Sequence, residues 1–127
     1  MEPVMEINVT TYEAQSVVSA GRTVVMIPFS ASADGELFTG STAENGCDTQ
    51  NIFPDGRMSL SARYMLSGKD RDGNDCRVFI ENNGDSLDNC TPVIFTDSPV
   101  LAFLQDAKLH AAVECVQNGV IVRIYVC

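Results

Sequence analysis

Basic residues are scarce in this chain of 127 residues, which has eight Lys and Arg against 17 Asp and Glu and a formal net charge of −9 at pH 7. Eight cations scattered singly along the sequence do not form the basic stripe that follows a phosphate backbone. They are equally unsuited to an anionic membrane surface. The sequence therefore predicts no nucleic acid and no membrane among the partners of this protein.

Long apolar runs are also missing. No uninterrupted apolar segment approaches the roughly 20 residues that a membrane-crossing helix needs. The opening stretch MEPVMEINVT carries acidic residues where a secretory signal has basic ones, and no apolar core segment follows it. We therefore expect neither a membrane span nor an export signal, which predicts a cytoplasmic protein.

Motifs for metals, phosphates and thiol chemistry are absent as well. The five cysteines are odd in number, and no two are close enough in sequence for a zinc knuckle or a redox pair. The chain has a single histidine, His110, and no cysteine stands beside it as a nucleophile would require. No glycine-rich loop opens a helix. The sequence predicts free thiols in a reducing compartment, no metal and no cofactor.

What the sequence does contain is a succession of short strands. Segments rich in Val, Ile, Thr, Phe and Tyr alternate with clusters of Gly, Asp, Asn and Pro, as in ADG, PDG and QNG. The length and the 45% hydrophobic content suit one all-β domain that spans residues 1–127. The predicted strands are 5–15, 22–30, 36–41, 48–53, 57–67, 76–82, 93–96, 109–117 and 120–126.

One short helix is expected near residues 98–105, in the stretch DSPVLAFLQDA. Ser98 is a favourable N-cap residue, and Pro99 suits the first helical position. Val100, Phe103 and Leu104 share one helical face. The helix should therefore pack its apolar face against the sheet.

The stretch DRDGNDCRVFIE raises the question of a calcium site. Asp70, Asp72, Asn74 and Glu81 have nearly the oxygen-ligand spacing of a calcium-binding helix–loop–helix hand. Such a hand requires glycine at its sixth position, where this chain has Asp75, and its flanks are helices. Here both flanks alternate as strands, so we predict an acidic hairpin turn, with weak cation binding at Asp70 and Asp72 left open.

The same hairpin has a predictable register. If Asp70 and Asn74 close the turn, Leu66 faces Val78 and Tyr64 faces Ile80, so that the apolar faces of both strands coincide. On the other face, Arg63 lies opposite Glu81, Met65 opposite Phe79, and Ser61 opposite Asn83. Alternation does not determine which of the two faces lines the interior.

Polar residues in the middle third of the chain form the candidate site. Arg63 can bind an anionic or developing negative oxygen, and Asp48 or Glu81 can act as a general base. The structural alternative is a cross-strand ion pair between Arg63 and Glu81, which contributes about 0.2–1 kcal/mol on a solvated face. Strict alternation places Asp48 on the face of Tyr64, and only a bulge near residues 46–48 would bring it to Arg63.

Three further residues are candidate ligand contacts. Tyr64 is expected in the core with its hydroxyl at the rim of a pocket. In the stretch ENNG, the amides of Asn82 and Asn83 can donate to a ligand, although a turn is the favoured structure there because Asn tolerates the left-handed conformation.

The stretches ELFTGSTAENGCDTQNIFPDGRMSLSARYMLSGKDRDGNDCRVFIENNG and PVIFTDSPVLAFLQDAKLHAAVECVQNGVIVRIY resemble the uncharacterised bacterial and fungal family called domain of unknown function 3237. The resemblance covers nearly the whole chain from Met5 onward. It implies a small closed or nearly closed antiparallel β-barrel of the lipocalin-like or allene-oxide-cyclase-like kind, and no established activity. The chain departs from the family pattern in ENGCD, where Asn45 and Cys47 replace a more glycine-rich approach to Asp48. The positions that match the pattern are Gly40, Asp48, Asp55, Gly56, Arg63, Tyr64, Gly73, Asn82 and Gly84.

Together, the strands and the resemblance predict a barrel of about eight to nine strands, just wide enough for one small ligand. Three functions suit it. The first is small-molecule binding without chemistry. The second is a cofactor-free isomerase, cyclase or lyase that uses a carboxylate base and Arg63. The third is an oligomerising interaction module without a ligand, which would make the protein a homo-oligomer.

Overall fold

Alternating apolar and polar residues form ten strands and one short helix in the computed structural model, which describes residues 2–127. The helix α1 (Phe103–Asp106) lies between the eighth and ninth strands. The strands are β1 (Met5–Thr11), β2 (Gln15–Val18), β3 (Thr23–Asp34), β4 (Phe38–Thr42), β5 (Gly46–Ile52), β6 (Met58–Asp70), β7 (Asp75–Ser86), β8 (Asn89–Thr96), β9 (Leu109–Val116) and β10 (Gly119–Val126).

The strands close into an antiparallel barrel with eight positions around its wall. Strand β1 pairs with β10 on one side and with β3 on the other, which closes the ring. Strands β1 and β2 pair with successive parts of β3 and so occupy one position in the ring. Strands β4 and β5 share the position between β3 and β6. The predicted all-β barrel is confirmed. Ten strands fill its eight positions because β1 and β2 share one position and β4 and β5 share another.

The central hairpin has the predicted register. Leu66 pairs with Val78 and Tyr64 with Ile80, while Arg63 pairs with Glu81 on the opposite face. Leu66, Val78 and Ile80 are completely buried. The face that carries Tyr64 therefore lines the barrel interior, which alternation alone did not determine.

The acidic stretch after β6 is a hairpin turn, as predicted. One carboxylate oxygen of Asp70, Oδ1, accepts hydrogen bonds from the backbone N–H groups of Asp72 (3.0 Å) and Asn74 (3.1 Å). Gly73 adopts a φ of +81° in this turn. The Asp70 carboxylate thus organises the turn itself.

A segment that ends in α1 plugs the barrel end next to this turn. Leu101 and Leu104 are buried in the core, with 0% and 1% of their surface exposed. The predicted N-cap is wrong, because the helix begins at Phe103 with Ala102 as its N-cap residue. Ser98 has another role: its hydroxyl donates a 2.7 Å hydrogen bond to Oδ2 of Asp70 and so fastens the plug to the hairpin turn.

The strand bounds differ from the prediction, and three of the differences change the fold locally. The first predicted strand, 5–15, ends at Thr11, and β2 is an additional, fully exposed strand that was not predicted. The turn expected at ENNG is wrong, because Asn82 and Asn83 lie inside β7. Strand β8 begins at Asn89 and passes through Pro92. In the part of the chain that the structure describes, no helix is long and apolar enough to cross a membrane.

Candidate functional site

The barrel interior is open at the end opposite α1, where it holds a cavity of about 270 Å³. Residues from β1, β3, β5, β6, β7, β8, β9 and β10 line it, so it lies within the ring of strands. Among the described residues, no Lys, Arg or His lines this cavity. Its polar lining includes Asp48, Gln50, Tyr64 and Asn82, and its apolar lining includes Val9, Ile27, Leu60, Val113, Val120 and Val122.

Asp48 and Asn82 flank a small residue in one row across the wall. Asp48 of β5 pairs with Ala62 of β6, and Ala62 pairs with Asn82 of β7. All three side chains point inward and line the cavity. Because Ala62 carries only a methyl group, its position forms a notch with a carboxyl group on one side and an amide on the other.

One oxygen atom of each polar side chain beside this notch lacks a hydrogen-bond partner among the described residues. Gln50 Nε2 donates a 2.9 Å hydrogen bond to Oδ2 of Asp48. Oδ1 of Asp48 and Oδ1 of Asn82 are buried and have no hydrogen-bond partner among the residues described. Burial raises the pKa of the Asp48 carboxyl group, and the hydrogen bond from Gln50 opposes that rise without cancelling it. The site therefore holds a carboxyl group whose charge is poorly compensated.

Tyr64 forms part of the cavity floor. Its side chain is 6% exposed, and its ring packs edge to face against Phe29 with 5.1 Å between the ring centroids. Burial raises the pKa of the Tyr64 phenol far above its ordinary value, so the hydroxyl stays neutral. Tyr64 can exchange hydrogen bonds with a ligand but does not supply charge.

Arg63 and Glu81 lie on the outer face of the wall. Arg63 Nε is 3.0 Å from Oε1 of Glu81, and 66% of the Arg63 side chain is exposed. Asn83 extends this outer network by donating from Nδ2 to Oε2 of Glu81 (2.9 Å) and by accepting at Oδ1 from the hydroxyl of Ser61 (2.7 Å). Arg63, Ser61 and Asn83 line a shallow outer groove and not the lumen.

The predicted cooperation between Asp48 and Arg63 is therefore wrong. Strand β5 pairs regularly with β6 from Cys47 to Ile52, so no bulge turns Asp48 toward the outer face. Glu81 and Asn83 are also excluded from the lumen by the same alternation. Of the predicted site residues, the structure brings together Asp48, Tyr64 and Asn82.

Gln50 and Ala62 are site residues that the sequence analysis missed. Both were detectable, because Gln50 lies two residues after Asp48 and Ala62 two residues before Tyr64 on the same strand faces. The cavity also receives Cys90 and Cys115 from strands that are distant in sequence. Among residues 2–127, no three His, Cys, Asp or Glu side chains are grouped so that they could hold a metal ion.

Comparison with known proteins yields relatives whose activity is not described. No family model matches the chain. A UPF0311 protein of Clostridium acetobutylicum is 36% identical over 64 residues, which are 50% of this chain and only 38% of that protein. The chain thus spans well under half the length of this curated relative.

Solved structures share the whole fold. A protein of unknown function from C. acetobutylicum has a TM-score of 0.80 and 24% identity, over 98% of this chain and 94% of that chain. A structure described as an enzyme from Penicillium herquei has a TM-score of 0.75 and 15% identity, over 98% of this chain and 92% of that chain. At these identities the likeness establishes a common β-barrel fold for bacterial and fungal proteins, and the function must be inferred from the cavity.

Proposed function

We propose that this protein is a small-molecule-binding barrel whose lumen holds a compact, largely apolar ligand with its polar end in the notch above Ala62. One observation carries the proposal. Two buried oxygen atoms, Oδ1 of Asp48 and Oδ1 of Asn82, have no partner among the described residues and flank an apolar cavity. A buried polar group without a partner costs about 1–3 kcal/mol. A ligand that donates hydrogen bonds there removes that cost.

The walls and the floor suit such a ligand. Binding sites for small molecules are concave and mostly apolar, with a few polar groups that fix the orientation of the ligand. The volume of about 270 Å³ lies just below the usual range of roughly 300–1,000 Å³ for such sites, so the ligand must be small. The plug formed by Leu101 and Leu104 closes the opposite end, so a ligand enters and leaves at one end only.

Thermal unfolding in the presence of 2-phenylethanol tests the proposal. We expect this neutral aromatic alcohol to raise the melting temperature of the wild-type protein in a saturable, concentration-dependent way. Ala62→Phe fills the notch and should abolish the shift. Ala20→Phe adds the same ring at an exposed loop position and should leave the shift unchanged.

Two results would contradict lumen binding. The first is an absence of any saturable shift for the wild-type protein with aromatic alcohols and amines. The second is an equal shift for wild type and Ala62→Phe, since binding would then occur outside the lumen.

A second candidate is a cofactor-free proton-transfer enzyme in which Asp48 is the base. The raised pKa of Asp48 favours it, because general bases in enzymes are tuned in this direction by burial. A structural neighbour from P. herquei is described as an enzyme. Tyr64 and Asn82, and not Arg63, would then contact the developing oxyanion. The candidates differ in whether a ketone such as 1-indanone exchanges its α-hydrogens with deuterated solvent when it is bound.

Three broader expectations accompany these candidates as proposals. Membership of the domain of unknown function 3237 family is supported by the closed barrel and by the inward position of Asp48, Tyr64 and Asn82. A cytoplasmic location is supported by five cysteines that are all free thiols. Homo-oligomer formation stays a prediction, and Met65 and Phe95 are exposed apolar residues on the outer wall where a contact would be found.

A further inference from the structure

We propose that the ligand of the lumen carries a protonated amine, which binds in the notch between Asp48 and Asn82. This inference rests on the proposed binding function and specifies the chemical class of the ligand. It starts from the kind of atom that lacks a partner. Both unpaired atoms beside the notch are oxygens, and an ionised carboxylate accepts hydrogen bonds but cannot donate them.

The number of donors separates an amine from an alcohol. A hydroxyl group has one proton and can donate to only one of the two oxygens at a time. A primary ammonium group has three donors, as many as the two unpaired oxygens and one further acceptor require. The hydroxyl of Tyr64, which is also a lining residue, is such a further acceptor.

The charge of the lining favours the same class. Asp48 is the one Asp or Glu among the lining residues, and no described cationic side chain faces it in the cavity. A ligand carboxylate would meet the Asp48 carboxylate without a counter-ion in a region of low dielectric. An ammonium group instead supplies the missing counter-charge and forms a charge-assisted hydrogen bond, which is about twice as strong as a neutral one.

Two features beyond the notch support a cation. The aromatic rings of Phe29 and Tyr64 line the cavity, and ring faces attract cations. The net charge of −9 also raises the concentration of cationic solutes near the protein surface and disfavours the approach of anions. The cavity therefore suits a small arylalkyl amine with its ring among the apolar residues.

Isothermal titration calorimetry with three matched probes tests the inference. The probes are 2-phenylethylamine, 2-phenylethanol and 3-phenylpropionate, which share a ring and differ in their polar end. At pH 7 we expect the amine to bind at least about tenfold more tightly than the alcohol, and the carboxylate not to bind. Asp48→Asn should weaken amine binding about tenfold and change alcohol binding less than about threefold.

A charge-matched control separates the local effect from the net charge. Asp106→Asn removes one exposed carboxylate from α1, at the plugged end of the barrel, and should leave the affinity for all three probes unchanged. Equal affinity for the alcohol and the amine, or amine binding that is insensitive to Asp48→Asn, overturns the inference while the binding function stands. Tight binding of 3-phenylpropionate also overturns it. Failure of every probe to bind overturns the binding function as well.

Discussion

At the scale of single residues, Asp48 is the charged side chain that sets the chemistry of the lumen. Its position follows from alternation along β5, since Asp48 and Gln50 point inward and Cys47 and Thr49 point outward. A carboxyl group in that position is costly unless something binds to it. Such a loss of stability is typical of functional sites, where residues that disfavour folding are retained for their role in function.

The pH dependence of stability tests this cost. Because the pKa of Asp48 is raised in the folded state, the folded protein holds the Asp48 proton to higher pH than the unfolded chain. The contribution of Asp48 to stability is therefore lost as the pH rises from the ordinary pKa of 3.8 through the raised value. Without ligand at pH 7, Asp48→Asn should stabilise the protein by about 1 kcal/mol, because it removes a partly buried negative charge that the lining does not compensate.

The measurement is the difference in melting temperature between Asp48→Asn and wild type across pH. We expect a gain of about 3–5 °C at pH 7 that disappears below the ordinary carboxyl pKa. Asp106→Asn, which removes an exposed carboxylate, should show no such gain. A destabilised Asp48→Asn at pH 7 would mean that the carboxylate is already well compensated.

The sequence predicts part of this site and misses the rest for a physical reason. The pairing of Tyr64 with Ile80 places Tyr64 and Asn82 on one face, and alternation places Asp48 with them. Arg63 was expected at the site because an Arg beside carboxylates is chemically attractive. Which face of the hairpin points inward depends on how all the strands together bury their apolar side chains. The sequence of one hairpin does not determine it.

At the scale of elements, the plug and the β6–β7 turn are joined by one buried contact. Ser98 is 2% exposed and donates to Oδ2 of Asp70, while the backbone of the turn donates to Oδ1. The Ser98 hydroxyl is the main reason that the pKa of Asp70 is lowered. Both oxygens of the Asp70 carboxylate are therefore engaged in holding this end of the barrel together.

Substitution of Ser98 should loosen this end. Ser98→Ala removes the donor to Asp70 and should lower the melting temperature by roughly 3–6 °C at pH 7. Because the folded-state pKa of Asp70 is depressed, its stabilising contribution exists above the ordinary value of 3.8 and is lost as the pH falls through the lowered value. The difference between Ser98→Ala and wild type should therefore shrink in acid.

Ser59→Ala is the matched control for Ser98→Ala, since Ser59 is an exposed residue in β6. It should melt within about 1–2 °C of wild type, as expected for a surface substitution. An effect of Ser98→Ala that is equal at pH 7 and in acid would show that lost packing, and not the Asp70 contact, is responsible.

Elements that depend on their neighbours were the ones that sequence analysis misplaced. Strand β8 is longer than the predicted strand 93–96 and passes through Pro92, although proline lacks the N–H that a ladder needs. The N–H of Thr96 points away from β7 and donates a 2.9 Å hydrogen bond to Oε1 of Gln105. By alternation, the backbone nitrogen of Pro92 faces the same side as that of Thr96, toward β9. Strand β9 pairs with β8 at a single position, so the missing N–H of Pro92 costs little.

At the scale of the whole molecule, the barrel has one weakly paired seam. Strands β8 and β9 share a single registered pair, Cys90 with Ala111, whereas β6 and β7 pair continuously from Leu60 to Lys69. Helix α1 covers part of the remaining edge of β8 through Gln105. The cavity is lined from both sides of the seam, by Cys90 on β8 and by Val113 on β9.

Hydrogen exchange of the native protein should reveal this seam as the first part of the barrel to open. Local opening has a lower free energy where few backbone hydrogen bonds cross between elements. The amide of Ile94, which points toward the seam, should exchange at least about tenfold faster than that of Ile80 in the β6–β7 hairpin. Equal rates would mean that the barrel opens only as a whole.

Ligand binding should close the same seam, which links the fold to the proposed function. A molecule in the lumen contacts residues on β8 and β9 together, so opening of the seam requires its release. Saturating 2-phenylethylamine should therefore slow exchange at Ile94 by the same factor as at Ile80, and Ala62→Phe should remove that protection. Protection of Ile80 without protection of Ile94 would mean that the seam opens while the ligand stays bound, because RT ln(1 + [L]/Kd) then applies only to complete unfolding. Equal protection of both amides would show that the seam stays closed while the ligand is bound.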